Sequence, residues 1–289
     1  RIKTQAGPSP TAQNAFPADP TQWADGDYDG YGDNGAGFQP DGCTSTAGNS
    51  TQDRFGCTDS DGDGWSDPGI GYTVEQGGDA CDAVQGPSWR DRNGCADEDG
   101  DGASDPDPTG ASSSNGSVWS ISDGADAFLG DDTQWRDTDG DGYGDNPAPA
   151  TDPDGCPTQF GDSTSDRLGC PDTDSDTYSD PDTGFTVANG ADAFPNDTTQ
   201  WADQDGDGYG DNATGTQPDA CPTVPGTSSE ANRLGCPDGD GDGWADVDDA
   251  FLFESTQWVD GDGDGYGDNA SGANPDGCSA TYGTSANDR

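Results

Sequence analysis

Asp137-Thr138-Asp139-Gly140-Asp141-Gly142-Tyr143-Gly144-Asp145 is the stretch on which the fold turns. Carboxylates alternate at positions 1, 3 and 5 and return at position 9. Alternating carboxylates of this kind wrap one hard cation, Gly at position 6 makes the sharp turn, and position 7 offers its backbone carbonyl. Without a cation, side chains that converge this way repel one another.

Eight segments share the pattern D-x-D-x-D-x-x-x-D. Their oxygens come from Asp25, Asp27, Asp29 and Asp33 with the carbonyl of Tyr31; from Asp59, Asp61, Asp63 and Asp67 with Trp65; and from Asp97, Asp99, Asp101 and Asp105 with Ala103. They continue with Asp137, Asp139, Asp141 and Asp145 with Tyr143; Asp172, Asp174, Asp176 and Asp180 with Tyr178; and Asp203, Asp205, Asp207 and Asp211 with Tyr209. The last two are Asp238, Asp240, Asp242 and Asp246 with Trp244, and Asp260, Asp262, Asp264 and Asp268 with Tyr266. Ca²⁺ takes about six to eight oxygens in irregular geometry, whereas Mg²⁺ demands a tighter octahedron and keeps several waters. Ca²⁺ is therefore the expected ion, with at least one per loop and about eight or more in all. A helix-flanked calcium loop carries a bidentate Glu at position 12. Here only the loop at Asp238 has a carboxylate there, Asp249, and no helical pattern follows any loop.

Seven loops keep Gly at position 6, and the loop at Asp172 has Thr177. A β-branched residue at positive φ is strained. That site is expected to be distorted or weaker than the others.

The rest of the composition agrees with a fold ordered by ions. Only 27% of the 289 residues are hydrophobic, and Gly (47) and Pro (21) fill nearly a quarter of the chain. Ordering each residue costs roughly 1–2 kcal/mol, and this chain lacks the Leu, Ile and Met to offset that by apolar burial. The formal charge of −50 opposes compaction and argues against nucleic acid as a partner. A salt-adapted acidic surface would mix Asp with Glu. Of 59 acidic residues only Glu75, Glu98, Glu230 and Glu254 are Glu, and the Asp residues recur at fixed offsets.

Thr-Gln-Trp recurs, ending at Trp23, Trp135, Trp201 and Trp258, with Phe16, Phe128, Phe194 and Phe251 upstream. Each Trp leads into an acidic loop closed by Gly-Asp-Asn, then a polar stretch, an Asp two residues before a Cys, a Gly-Cys, and a second acidic loop. This divides the chain into a lead segment, 1–13, and four units, 14–123 (with an extra half-unit), 124–189, 190–247 and 248–289 (incomplete). No helical period emerges, and only short pieces such as Phe185-Thr186-Val187 are expected to pair locally. The expected fold is an irregular, elongated array of acidic loops with little regular secondary structure and no conventional hydrophobic core.

There is no His and no C-x-x-C pair, which excludes the usual zinc sites and points the nine Cys to disulfides in an oxidising compartment. Four couples lie 14 or 15 residues apart: Cys43 with Cys57, Cys81 with Cys95, Cys156 with Cys170, and Cys221 with Cys236. Pairing within couples is favoured, and stepwise pairing between neighbouring couples stays open. Cys278 is odd. Its context matches the first Cys of a couple, so the native chain is expected to continue, with a Cys about three residues past Arg289. The alternative leaves Cys278 free or bonded to another subunit. Five N-x-S/T sequons stand at Asn49, Asn115, Asn196, Asn212 and Asn269. The aromatics are expected to pack between neighbouring loops, with a carbohydrate platform as the sharper reading.

The sequence resembles thrombospondin type 3 repeats, as in Asp203-Gln204-Asp205-Gly206-Asp207-Gly208-Tyr209-Gly210-Asp211 and Cys236-Pro237-Asp238, and in particular the variant of microbial secreted surface proteins. The resemblance runs through nearly the whole chain after about residue 14. It implies a disulfide-stapled fold wrapped around a string of Ca²⁺ ions, some repeats holding two, with the Asp at positions 1, 3, 5 and 9 as ligands. The longer inserts before Cys, and Thr177, depart from that pattern.

No His-based catalytic arrangement is available, and the carboxylate pairs are accounted for by cation spacing. The chain is expected not to be an enzyme. It is expected to be an extracellular calcium-rigidified rod, stalk or fibre subunit at a cell surface, touching other copies of itself or other surface proteins and carrying covalent glycans. The alternatives are an adhesive or glycan-binding module and a spacer within a larger secreted protein. No apolar run approaches the roughly 18 residues of a membrane helix.

Overall fold

A computed structural model describes residues 13–108, 118–230 and 233–283. The chain folds as two compact units, one of Arg1–Thr138 with Gly142–Pro153 and one of Asp139–Asp141 with Asp154–Arg289, so their boundary falls inside the loop at Asp137. Regular structure among the described residues is confined to three single 3₁₀ turns, Val74–Gln76, Ile121–Asp123 and Val187–Asn189, and six isolated β-bridges. The expected pairing at 185–187 is not formed. Thr186 is instead the extended residue that opens the third turn, which closes on Gly190 at φ 107°. Chain this rich in Gly and Pro has neither the donors nor the side chains for a ladder.

The interior is polar. Among the described residues the buried apolar ones are Cys and Ala alone, including Ala103, Ala125 and Ala191. The bulkiest fully buried side chains are Gln134, Gln200 and Gln257, followed by Asp79, Asp126 and Asp192. Buried amides and carboxylates need partners, and those partners define two kinds of loop.

In loops that follow Thr-Gln-Trp, the Gln is the anchor. Gln200 Nε2 donates to the carbonyls of Asn212 (3.1 Å) and Thr216 (3.0 Å), and its Oε1 accepts the Asn212 N–H (2.9 Å). Asn212 Nδ2 returns a bond to the Thr199 carbonyl (2.8 Å). Gln22, Gln134 and Gln257 repeat the arrangement with Asn34, Asn146 and Asn269. Position 8 is Gly in all four, because a Cβ on Gly210 would overlap the Gln200 amide.

In loops that follow Cys, position 8 is Ser or Ala. Ser104 Oγ donates to Asp91 (2.7 Å) and accepts from Arg92 Nε (3.0 Å), and Arg92 also pairs with Asp107 at 3.1 Å. Ser66 with Arg54, and Ser179 with Arg167, repeat this. Where Ala245 replaces the Ser, Arg233 turns to Asp248 at 2.5 Å.

All four disulfides close within couples, Cys43–Cys57, Cys81–Cys95, Cys156–Cys170 and Cys221–Cys236, with Cα–Cα distances of 5.0–5.1 Å. Loops of this length gain about 3 kcal/mol each from restriction of the unfolded chain. Rings fill what remains. Tyr178 stacks on Trp201 with centroids 5.3 Å apart, and Trp244 on Trp258 at 6.2 Å.

The latch generates the first prediction. Gln200→Ala strands one amide N–H and two carbonyls, at about 1–3 kcal/mol for each group left buried and unpaired. We expect a clear loss of thermal stability, whereas Thr198→Ala, one of the exposed positions beside it, should leave the melting temperature within about 1 °C.

Candidate metal centres

Each acidic loop is built by its own backbone. The carboxylate at position 1 accepts two N–H groups: Asp97 takes Gly100 at 2.7 Å and Gly102 at 2.9 Å, and Asp203 takes Gly206 at 2.7 Å and Gly208 at 2.9 Å. Both donors must turn left-handed to point inward. Positions 4 and 6 therefore share positive φ, for example 84° and 97° at Gly100 and Gly102. Position 6 was legible from the sequence and position 4 was not, because Tyr28 and Ser175 break its Gly pattern. Position 3 accepts from the N–H of position 5, position 5 from that of position 7, and position 9 from that of position 2, as in Asp61, Asp63 and Asp67 of one loop. Every bond points donors at carboxylates and leaves lone pairs facing inward.

The result is clusters of three carboxylates whose oxygens lie within 4.8 Å of one another, at Asp25/Asp27/Asp29, Asp59/Asp61/Asp63, Asp97/Asp99/Asp101 and Asp172/Asp174/Asp176 among others. Two unit charges at that separation repel by about 3 kcal/mol at an effective dielectric of 20. Position-3 oxygens of Asp27, Asp61, Asp99, Asp174, Asp205, Asp240 and Asp262 are buried without a hydrogen-bond partner. Among the described residues no hydrogen bond lands on the position-7 carbonyls of Tyr31, Trp65, Ala103, Tyr178, Tyr209, Trp244 or Tyr266 either. Converging, unpartnered oxygens of this kind fit a hard metal ion. The residues that would hold it are the Asp at positions 1, 3, 5 and 9 and the carbonyl at position 7, where the ion would supply the positive charge the loop lacks.

The structure adds a candidate ligand that the sequence reading saw only at Asp249. After every loop comes one more Asp: Asp41, Asp79, Asp126, Asp154, Asp192, Asp219, Asp249 and Asp276. The N–H groups of Asp41, Asp79, Asp126, Asp192, Asp219, Asp249 and Asp276 donate to the position-8 carbonyl of their loops, at 2.8–3.0 Å. One carboxylate oxygen accepts the N–H two residues on, as Asp41 does from Cys43. In Asp41, Asp79, Asp126, Asp192, Asp219 and Asp276 the other is buried and unpartnered. A Cβ added to Gly56 would lie 2.7 Å from both Asp29 of the loop and Asp41, so the Gly of Gly-Cys holds a gap between these carboxylates. Asp249 is thus no special case of position 12. It is the member of this set with the shortest connection, 11 residues past Asp238, against 29 from Asp97 to Asp126. The signal was on the page as Asp two residues before Cys, and as Asp-Ala before Phe. Its variable offset hid it.

Burial pushes the carboxyls of Asp41, Asp79, Asp126, Asp192, Asp219 and Asp249 up, despite the N–H bonds that oppose it, and neighbouring Asp charges add to the effect. Asp79 rises to about 8, Asp192 to about 7 and Asp126 to about 6, from 3.8. A cation at the same place would reverse that penalty.

The loop at Asp172 is not distorted. Asp172 accepts from Ser175 and Thr177 at 2.7 Å each, its triplet converges like the others, and Thr177 holds φ 85°. The Thr177 and Ser165 hydroxyls bond at 2.6 Å. The expected distortion is replaced by backbone strain held in a regular loop.

The sequons separate. Asn49 and Asn196 are exposed, Asn212 and Asn269 are the amides of the Gln latch, and Asn115 lies outside the described residues. Among the described residues no helix is long and apolar enough to cross a membrane. No family model matches the chain, and no curated protein matches it in sequence.

Two predictions follow from this geometry. A left-handed non-Gly residue costs roughly 1–2 kcal/mol. Thr177→Gly should therefore tighten metal binding at its loop several-fold in calorimetric titration. Gly208→Thr, where a Cβ would meet nothing within 4 Å, should weaken its own loop by a similar factor. The second concerns pH. Asp79, Asp126 and Asp192 have folded values above 3.8, so the metal-free fold is most stable below pH 4 and loses that contribution as pH climbs towards 8. In chelator we expect the melting temperature to fall between pH 5 and pH 8, and added metal to narrow or reverse that trend.

Proposed function

We propose that this chain is an extracellular, non-catalytic calcium-binding repeat protein similar to thrombospondin type 3 repeats of microbial surface proteins, and that Ca²⁺ turns it into a stiff rod, stalk or fibre subunit. The observation that carries the proposal is the recurrence, loop after loop, of buried carboxylate oxygens with no partner in the protein. An all-oxygen donor set of irregular geometry favours Ca²⁺ over Mg²⁺, and the absence of His and paired Cys motifs disfavours softer metals. One ion per loop brings the formal charge from −50 to −34, and two bring it to −18. Binding free energy then becomes folding free energy. The four disulfides support an oxidising, extracellular setting. The repeat units beginning at 14, 124, 190 and 248 are proposed as the building blocks, other surface proteins or further copies as partners, and Asn49 and Asn196 as the sites suited to glycans.

The test is removal of the ion. Excess chelator should enlarge the radius of gyration in small-angle scattering and raise the rate of limited proteolysis by about tenfold or more, since cleavage follows the open population. Ca²⁺ should restore both, and Mg²⁺ at the same concentration should not. Scattering and proteolysis that ignore the chelator would refute the calcium reading.

A further inference from the structure

Six cations lie among the described residues. Arg54, Arg92, Arg167 and Arg233 occupy one repeat position, three residues before the second Cys of a couple. Arg90 and Arg136 are outside the pattern, and both line the same cavity, about 710 Å³ in volume, in the first compact unit.

The cavity has a physical origin. In the second unit the corresponding space is about 350 Å³, because the position-7 side chain Tyr178 stacks on Trp201 there. Trp244 covers Trp258 in the same way. At the loop of Asp97 position 7 is Ala103, so no ring covers Trp135. The Arg90 guanidinium lies over the Trp135 ring instead, 3.5 Å from its centroid. A guanidinium stacked on a ring keeps its in-plane N–H groups for a carboxylate fork. Arg90 Nη2 donates to the Asp101 carbonyl at 2.7 Å, which fixes the group in place. Arg136 is exposed and makes no ion pair among the described residues.

We propose that this cavity is a binding site for an acidic saccharide, with the sugar ring against Ile121 and the Arg90 guanidinium that covers Trp135, and its carboxylate on Arg90 and Arg136. The volume suits a small ligand. An apolar wall at Ile121 beside a guanidinium held flat on an indole suits a ring that is apolar on one side and charged at one edge. Three carboxylates also line the wall. Asp91 is engaged by Ser104 and by Trp119 Nε1, and Asp123 accepts from Ser120. Asp137 belongs to a metal loop, so the net charge of the wall rests on the calcium reading above. The inference otherwise goes beyond it, from scaffold to recognition.

The test is an NMR titration of the full chain at fixed, saturating free Ca²⁺, with D-glucuronate as probe and D-glucose as its neutral counterpart. Glucuronate should shift the Trp135 indole N–H and the Arg90 Nε–H, and glucose should bind about tenfold more weakly or not at all. Arg136→Gln should lower glucuronate affinity by about tenfold, the loss of one charge-assisted bond. Ala103→Tyr should refill the cavity as Tyr178 does and abolish binding. Ca²⁺ uptake is measured by calorimetry on each variant, so a lost loop and a lost pocket read differently. If Ca²⁺ fills the loops and glucuronate leaves the Trp135 signal unmoved, or if glucose and Arg136→Gln both match the wild-type glucuronate response, the proposal is overturned while the calcium reading stands. Shifts confined to the acidic loops would overturn it too, because they report sugar on the metal alone.

Discussion

Carboxylates that must converge are the constraint from which everything else in this protein follows. An ordinary domain gains its stability by taking apolar surface out of water. Here the places a core would occupy hold Asp79, Asp126 and Asp192, and the apolar contribution is Cys and Ala. Oxygens within 4.8 Å of one another cannot stay charged and close without a counter-charge. The backbone is arranged to force the approach all the same. Position-1 Asp residues such as Asp97 and Asp203 are held by two N–H groups that only a left-handed pair of residues can present, and later Asp residues such as Asp41 and Asp219 are tied by their own N–H to the position-8 carbonyl. The polypeptide supplies the geometry, and a cation would supply the counter-charge that the converging oxygens lack.

That division of labour explains the rest of the inventory. A metal site needs its ligands oriented by outer partners, and in this chain those partners are of two recurring types. The buried Gln of Thr-Gln-Trp clamps the loop it precedes, while Ser and Arg clamp the loop after Cys. Arg54, Arg92 and Arg167 each do this with the guanidinium over or near an aromatic ring, Tyr72, Trp119 and Phe185, at 3.6, 5.1 and 4.3 Å. Three of the four arginines at this position also pair with a carboxylate, Arg92 with Asp107, Arg167 with Asp182 and Arg233 with Asp248, which offsets little of a formal charge of −50. Their contribution is a fixed fork of donors, and bulk charge balance is left to the ions.

Much of the fold was legible before any coordinate, and the reason is periodicity. The Asp spacing, the Gly at position 6, the local Cys couples and the absence of helices and sheets all lie at fixed offsets, so repetition exposes them. What stayed hidden lacks a fixed offset or a loud residue type. The eighth-position Gly has its reason in the buried amides of Gln200 and its counterparts, which lie against it and are far from it in sequence. Trp drew attention in Thr-Gln-Trp although Gln is the more buried residue. Asp41 and its equivalents stood out only as neighbours of Cys or Phe, Asp249 apart, since between 11 and 29 residues separate them from the first Asp of their loops. Thr177 was flagged correctly as a left-handed β-branched residue. The distortion expected from it did not appear, because Asp172 holds both N–H groups at full strength and the strain stays in one dihedral.

The variable separation is also what gives such a chain room to acquire new surfaces. Each loop is fixed by bonds to points on either side, and the stretch between those points carries no ligand. Inserts there are nearly free, since each doubling of a flexible connection costs only about 0.6 kcal/mol in closure entropy. Position 7 is free in a second sense. Its N–H and carbonyl serve the loop, but its side chain only meets the next ring. Tyr, Trp and Ala all occur there. Where Ala103 stands, the carboxylate frame is unchanged, with Asp101 accepting the Ala103 N–H at 2.6 Å, and yet the cavity beside Trp135 is twice that beside Trp201. A scaffold whose stability resides in ions and backbone can lose an aromatic contact worth about 0.5–1.5 kcal/mol and keep its shape. A fold that depended on a hydrophobic core would answer the same deletion with a collapse or a larger loss of stability. Recognition can therefore be written onto this frame one side chain at a time, and Arg90, set on the ring that Ala103 leaves bare, is where we propose it.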